Sequence, residues 1–93
     1  MIYHMVWFSL VESADTELLA REMNAMPAHI PQIVELACGA DFSGRSRGFG
    51  WGLLVKFHTR QDGEIYDKHP AHQAFIARCK HLWNDVQALD FEV

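Results

Sequence analysis

What the sequence has little of narrows the field first. It holds two cysteines in 93 residues, Cys38 and Cys79. A disulfide-scaffolded domain of this size would carry more, so both are expected to be free thiols in a reducing cytoplasm. Basic residues are also scarce: eight Lys and Arg stand against twelve Asp and Glu, for a formal net charge of −4. Phosphate backbones demand a basic face, so nucleic acid is not the expected partner. No basic n-region opens the chain, and no apolar run approaches the roughly 18 residues of a membrane span, so neither a signal peptide nor membrane insertion is expected. Linkers, repeats and low-complexity stretches are missing too. The length fits one domain, residues 1–93, with a thin margin of buried surface that an oligomer interface would improve.

What is abundant is histidine. Six are present. Protonating all of them would turn the formal charge from −4 to +2, so behaviour near pH 6 should be sensitive to the medium.

The order of elements follows from local pattern. Residues 1–10 (IYHMVWFSL) are aromatic and β-branched and predict a strand. Ser13 or Asp15 is placed to cap a helix carrying Leu18, Leu19, Glu22, Met23 and Met26 on one side, with Glu22 as its polar exception. Pro27 ends it. A second strand is expected over about 33–40, an exposed glycine-rich loop over 41–50, and a third strand over 51–58. A short helix over about 61–68 precedes His69-Pro70. Pro70 suits the first turn of a further helix reaching about Trp83, and a last strand covers 86–93. This is β-α-β-β-α-β with the second helix broken, an α+β, ferredoxin-like four-stranded antiparallel sheet.

In such a two-layer fold, helices cover one sheet face and the other should be polar. The first strand breaks that expectation. Ile2, His4, Val6 and Phe8 share one face; Tyr3, Met5 and Trp7 share the other, and both need cover. One copy has helices for only one face. A homodimer through Tyr3, Met5 and Trp7, a dimeric α+β barrel, is therefore expected.

The helix after Pro70 puts His72, Phe75, Ile76, Cys79 and Trp83 on one stripe, so His72 should face the core. Trp51 begins the apolar face of the third strand and His4 lies on that of the first. His4, Trp51 and His72 should then converge between sheet and helices, with Tyr66 at the mouth and His69 and Phe75 completing the lining. Burial favours neutral imidazole, which can give or take a proton near pH 7 on a small carbonyl or phenolic substrate. The alternative is structural: His72 caps, or bonds to His4 or a backbone carbonyl, and ties helix to sheet. His69 and His72 are three apart, but only Asp67 is a nearby carboxylate, and four convergent ligands are not available, so no metal is expected.

The remaining signals are weaker. SGRSRGFGWG runs into a strand instead of opening a helix, unlike a phosphate-cradling loop. Cys38, Cys79, Met23 and Met26 suit packing. His29, His58 and His81 have no partner pattern.

Taken together, IYHMVWFSL, MPAHIPQIVEL, DFSGRSRG, HPAHQAF (His69 to Phe75) and the closing DFEV resemble the stress-responsive α/β-barrel (Dabb) family over essentially the whole chain. The resemblance implies a dimeric ferredoxin-like barrel, mostly of unassigned reaction. One member, a plant polyketide cyclase, uses histidines in the first and third strands, a tyrosine before the HPAH motif and that motif's second histidine. His4, Tyr66 and His72 match three of these; Trp51 stands at the place of the third-strand histidine. Two readings follow. One is a stress-type protein of unassigned activity, without cofactor, whose pocket takes a small hydrophobic or aromatic ligand. The other is an acid–base enzyme, cyclase-, isomerase- or lyase-like, using His72 with His4 and Tyr66. Monooxygenases on similar barrels are a more distant alternative. An open cavity touching His4, Tyr66 and His72 would favour the enzyme; a filled core would favour the first reading.

Overall fold

A computed structural model describes residues 1–93. Its elements are β1 (Ile2–Leu10), α1 (Thr16–Ala25), β2 (Glu35–Ala40), β3 (Trp51–Phe57), α2 (Arg60–Lys68), α3 (Pro70–Cys79) and β4 (Trp83–Glu92). The strands form one sheet in the order β2-β3-β1-β4, every neighbouring pair antiparallel. This is the expected ferredoxin-like arrangement, with β1 and β3 in the middle.

Caps set the helix starts. The Asp15 carboxylate accepts the Leu18 N–H at 3.0 Å, so Asp15, not Ser13, opens α1. Thr59 does the same for α2 through Asp62 N–H. His69 ends α2 and caps α3. Its backbone is extended (φ −63, ψ 137), as the steric demand of a following proline requires. Its Nδ1 accepts the Ala71 N–H at 3.0 Å.

The core lies between helices and sheet. Ile2, Val6 and Phe8 of β1 and Trp51, Leu53, Val55 and Phe57 of β3 meet Leu19, Met23, Tyr66, Phe75 and Cys79 there, all buried. The Glu22 exception on the α1 stripe is explained by Arg78 of α3, which pairs with it through Nε and a second nitrogen at 3.0 and 3.1 Å. Cys38 and Cys79 are both free.

Two expectations need correcting. The last helix stops at Cys79, a 3-10 turn follows over Lys80–Leu82, and Trp83 begins β4 in extended conformation (φ −125, ψ 148). Burial of Leu82 in that turn brings the chain down to the sheet. The Trp83 ring then packs on Phe8 at 4.9 Å, from the strand and not from a helix stripe. The second correction concerns Trp51, which the register places opposite Phe8, while His4 lies opposite Val55. Trp51 lies four positions along β3 from Val55, the residue level with His4, about 13 Å away. Its indole N–H donates to the Met23 sulfur at 3.3 Å, filling the far end of the core.

The sheet face away from the helices forms a grid. One row across β2, β3, β1 and β4 is Glu35, Lys56, Tyr3 and Phe91. The next is Ala37, Leu54, Met5 and Leu89, and the third is Gly39, Gly52, Trp7 and Gln87. Leu89 and Phe91 are 53% and 43% exposed. This face is largely apolar and carries no helix.

Candidate functional site

At the end of the sheet where β1 starts and β4 finishes, α2 leaves an open pocket of about 420 Å³. His4, Ile2 and Phe57 line it from the sheet, Asp90 from β4, and Gly63, Tyr66 and Asp67 from α2. Gly63 lies against the Phe57 ring: a Cβ added there would meet it at 3.6 Å, an ordinary van der Waals contact.

His4 and Asp90 are cross-strand neighbours on β1 and β4. The imidazole Nδ1 contacts an Asp90 carboxylate oxygen. An ionised carboxylate only accepts, so Nδ1 carries the proton and Nε2 of the neutral ring keeps its lone pair.

Tyr66 stands between the two histidines. Its ring lies 5.7 Å from His4, edge-on, and 4.3 Å from His72, centroid to centroid. Although the residue is 3% exposed, its hydroxyl has no partner and is not sealed off, since Gln32 Oε1 is the one buried side-chain polar atom left unpaired. The hydroxyl therefore opens on the pocket. Burial, and then the Asp67 carboxylate, push the phenol well above the usual tyrosine range. It remains a protonated donor at any physiological pH.

His72 is buried but does not line the pocket; it stands behind Tyr66. Its Nδ1–H donates to the Asp67 carbonyl at 3.0 Å; of the two partners expected, His4 or a backbone carbonyl, the structure has the carbonyl. The reason is local: α2 ends one turn before His72 and leaves that carbonyl without a helical donor. Gln73 Nε2 shares the same carbonyl at 2.7 Å. Desolvation holds the His72 imidazole below the ordinary histidine range, outweighing the Asp67 carbonyl and carboxylate, which act in the other direction.

That shift has a sign. Between the depressed folded value and the ordinary value of about 6.5, the unfolded chain binds a proton at His72 and the folded chain does not. Stability thus rises with pH through this window and is lost on acidification. Urea midpoints are expected to fall as pH drops below about 6.5. His72→Gln, which keeps a donor for the Asp67 carbonyl, should flatten that part of the curve. An unchanged slope would show that His72 is not the group responsible.

The other sequence candidates separate. Phe75 packs against His72 at 6.4 Å but is core, outside the pocket. His69 spends its lone pair on the α3 cap and faces a different groove, with Gln61 and Lys68. Trp51 is remote, as described. Tyr3, Met5 and Trp7 lie on the opposite sheet face. No group of three or more His, Cys, Asp or Glu side chains is arranged to hold a metal. Burial pushes both cysteine thiols up, which disfavours thiolate chemistry. In the glycine-rich loop, the Asp41 carboxylate accepts from the Ser43 and Gly44 N–H groups.

Asp90 is the site residue that sequence reasoning missed. Only the β1–β4 register brings it to His4, and nothing local in DFEV announces it.

Comparison with known proteins gives the following. A family model described as the stress responsive A/B barrel domain matches residues 2–93. Among curated proteins, none matches. A protein of Arabidopsis thaliana superposes with TM-score 0.91 at 18% identity, covering 100% of this chain and 95% of its own. A dimeric ferredoxin-like protein of unknown function from Thermobifida fusca gives 0.85 at 22%, covering 99% and 90%. The hydroxynitrile lyase of Passiflora edulis gives 0.87 at 15%, covering 97% and 90%. At such identities these likenesses speak for the fold alone.

Proposed function

The chain belongs to the stress-responsive A/B barrel domain family, and on that premise we propose that it is a homodimeric small-molecule protein whose pocket performs acid–base chemistry on a small aromatic carbonyl or hydroxyl compound. The observation that carries this reading is the His4–Asp90 pair on a pocket into which an unpartnered Tyr66 hydroxyl opens. Asp90 fixes the tautomer, His4 Nε2 takes the substrate proton, and the Tyr66 O–H donates to the substrate oxygen where negative charge develops. His72 supports the Tyr66 ring from behind and touches no substrate. This moves the acid–base role from His72, where sequence spacing put it, to His4.

The homodimer rests on the uncovered apolar sheet face and on relatives described as dimeric. No helix is long and apolar enough to cross a membrane.

An aromatic cyanohydrin is a suitable probe, because its cleavage needs one base. His4 Nε2 takes the hydroxyl proton, the C–CN bond breaks as C=O forms, and the departing cyanide recovers the proton from the imidazolium. Aldehyde release, and shifts of the His4 ring resonances with the corresponding aldehyde and phenols, test the proposal. Turnover with shifts at His4 supports it. Shifts without turnover leave a binding protein of the same pocket, and neither effect removes the small-molecule reading.

A further inference from the structure

We propose that Gly63 sets the width of the pocket, and that the compound it takes is a fused bicyclic aromatic whose second ring occupies the space left by the missing side chain. This rests on the small-molecule reading above and narrows the class of ligand.

α2 meets the sheet with few apolar side chains. Tyr66 is its one buried residue, and Ile65, its other large apolar residue, is 40% exposed. Gly63, Glu64 and Asp67 stand three, four and seven places after Arg60, so these four share one side of the helix. All four line the pocket. A helix laid on a sheet would normally carry large apolar residues along such a stripe. Here the position one turn before Tyr66 is a glycine. Below it lie Ile2 and Phe57, cross-strand partners on β1 and β3.

The fold does not ask for glycine at this place. The backbone is helical and outside the left-handed region. A Cβ would meet two atoms of the Phe57 ring at 3.6 and 3.8 Å, which is ordinary contact. Alanine would therefore fit, and it is the better helix former. Gly63 gives up helix stability and keeps the space between α2 and Phe57 open. The pocket of about 420 Å³ exceeds what one ring needs, since a cavity of about 150 Å³ accommodates benzene. His4 and the Tyr66 hydroxyl fix where the ligand's oxygen sits, and the Phe57 ring offers an aromatic contact for the ring beyond it.

The test is binding of phenol and of naphthol to the intact chain, followed by the His4 and Tyr66 ring resonances. Naphthol is more apolar and favours any apolar site, so the informative quantity is how the naphthol-to-phenol affinity ratio changes between variants. Gly63→Leu is expected to lower that ratio at least about tenfold, the effect of forcing a side chain into occupied space. Gly63→Ala should lower it about threefold and raise the thermal midpoint by a few degrees, roughly 4 °C. If Gly63→Leu does not fold, Gly63→Ala makes the comparison alone. A ratio that stays at the wild-type value in every folded variant overturns the role of Gly63 and leaves the pocket standing. So does a midpoint that fails to rise in Gly63→Ala, because the fold would then account for the glycine. A wild type in which neither compound shifts His4 or Tyr66 removes the pocket reading, and this proposal with it.

Discussion

His4→Asn is expected to lower turnover of the cyanohydrin probe by about 10²- to 10⁴-fold, the usual contribution of a positioned general base. Asparagine can still hydrogen-bond to Asp90, so the strand pairing and the pocket shape persist. What disappears is the Nε2 lone pair. KM should change little, since the apolar walls from Ile2 and Phe57 and the Tyr66 hydroxyl remain. Asp90→Asn is a gentler version. An amide can donate to Nδ1 and favour the wrong tautomer, so kcat should fall while binding survives. Wild-type turnover in His4→Asn would mean that the base is elsewhere; His72 Nε2 would be the group to examine next.

Trp7→Glu is expected to give a monomer at concentrations where the wild type is a dimer. The substitution puts a carboxylate at the proposed interface, where no cation lies directly across from it on its own sheet: its strand neighbours are Gly52 and Gln87. Burying such a charge costs several kcal/mol, and each 1.4 kcal/mol is about tenfold in Kd. Both copies carry the change, so the penalty is met twice. The fold should survive, because Trp7 contributes to the outer face and not to the core between sheet and helices. Light scattering at micromolar protein decides it, and a dimer under those conditions removes Tyr3, Met5 and Trp7 as the interface.

Much of this architecture is legible in the sequence because it is local. Asp15, Pro27 and Pro70 mark helix ends through backbone sterics and capping, and period-two alternation exposes the two-faced character of β1. His72 was placed inward by its spacing to Phe75, Ile76 and Cys79, and it is buried. Failures came where the answer depends on how distant segments align. Trp51 shares a face with His4, but face does not give level, and the register sets them about four residues apart. Asp90 became visible only when β4 was laid beside β1. A backbone carbonyl was among the partners expected for His72, but which one has no letter in a sequence: the carbonyl at Asp67 is available because α2 breaks before Pro70.

The pairing of His4 with Asp90 also bears on how the protein comes into being. The two residues are 86 positions apart. Synthesis runs from the N-terminal side, so β1 is made before every other element and Asp90, on β4, after α1, β2, β3, α2 and α3. Until β4 is made, the imidazole lacks the Asp90 carboxylate that orients it, and the sheet lacks an outer strand. The site therefore matures in a single late event, the docking of β4. Chains that lack β4 would hold His4 without its Asp90 partner, so the formation of this pair reports that β4 has been seated beside β1.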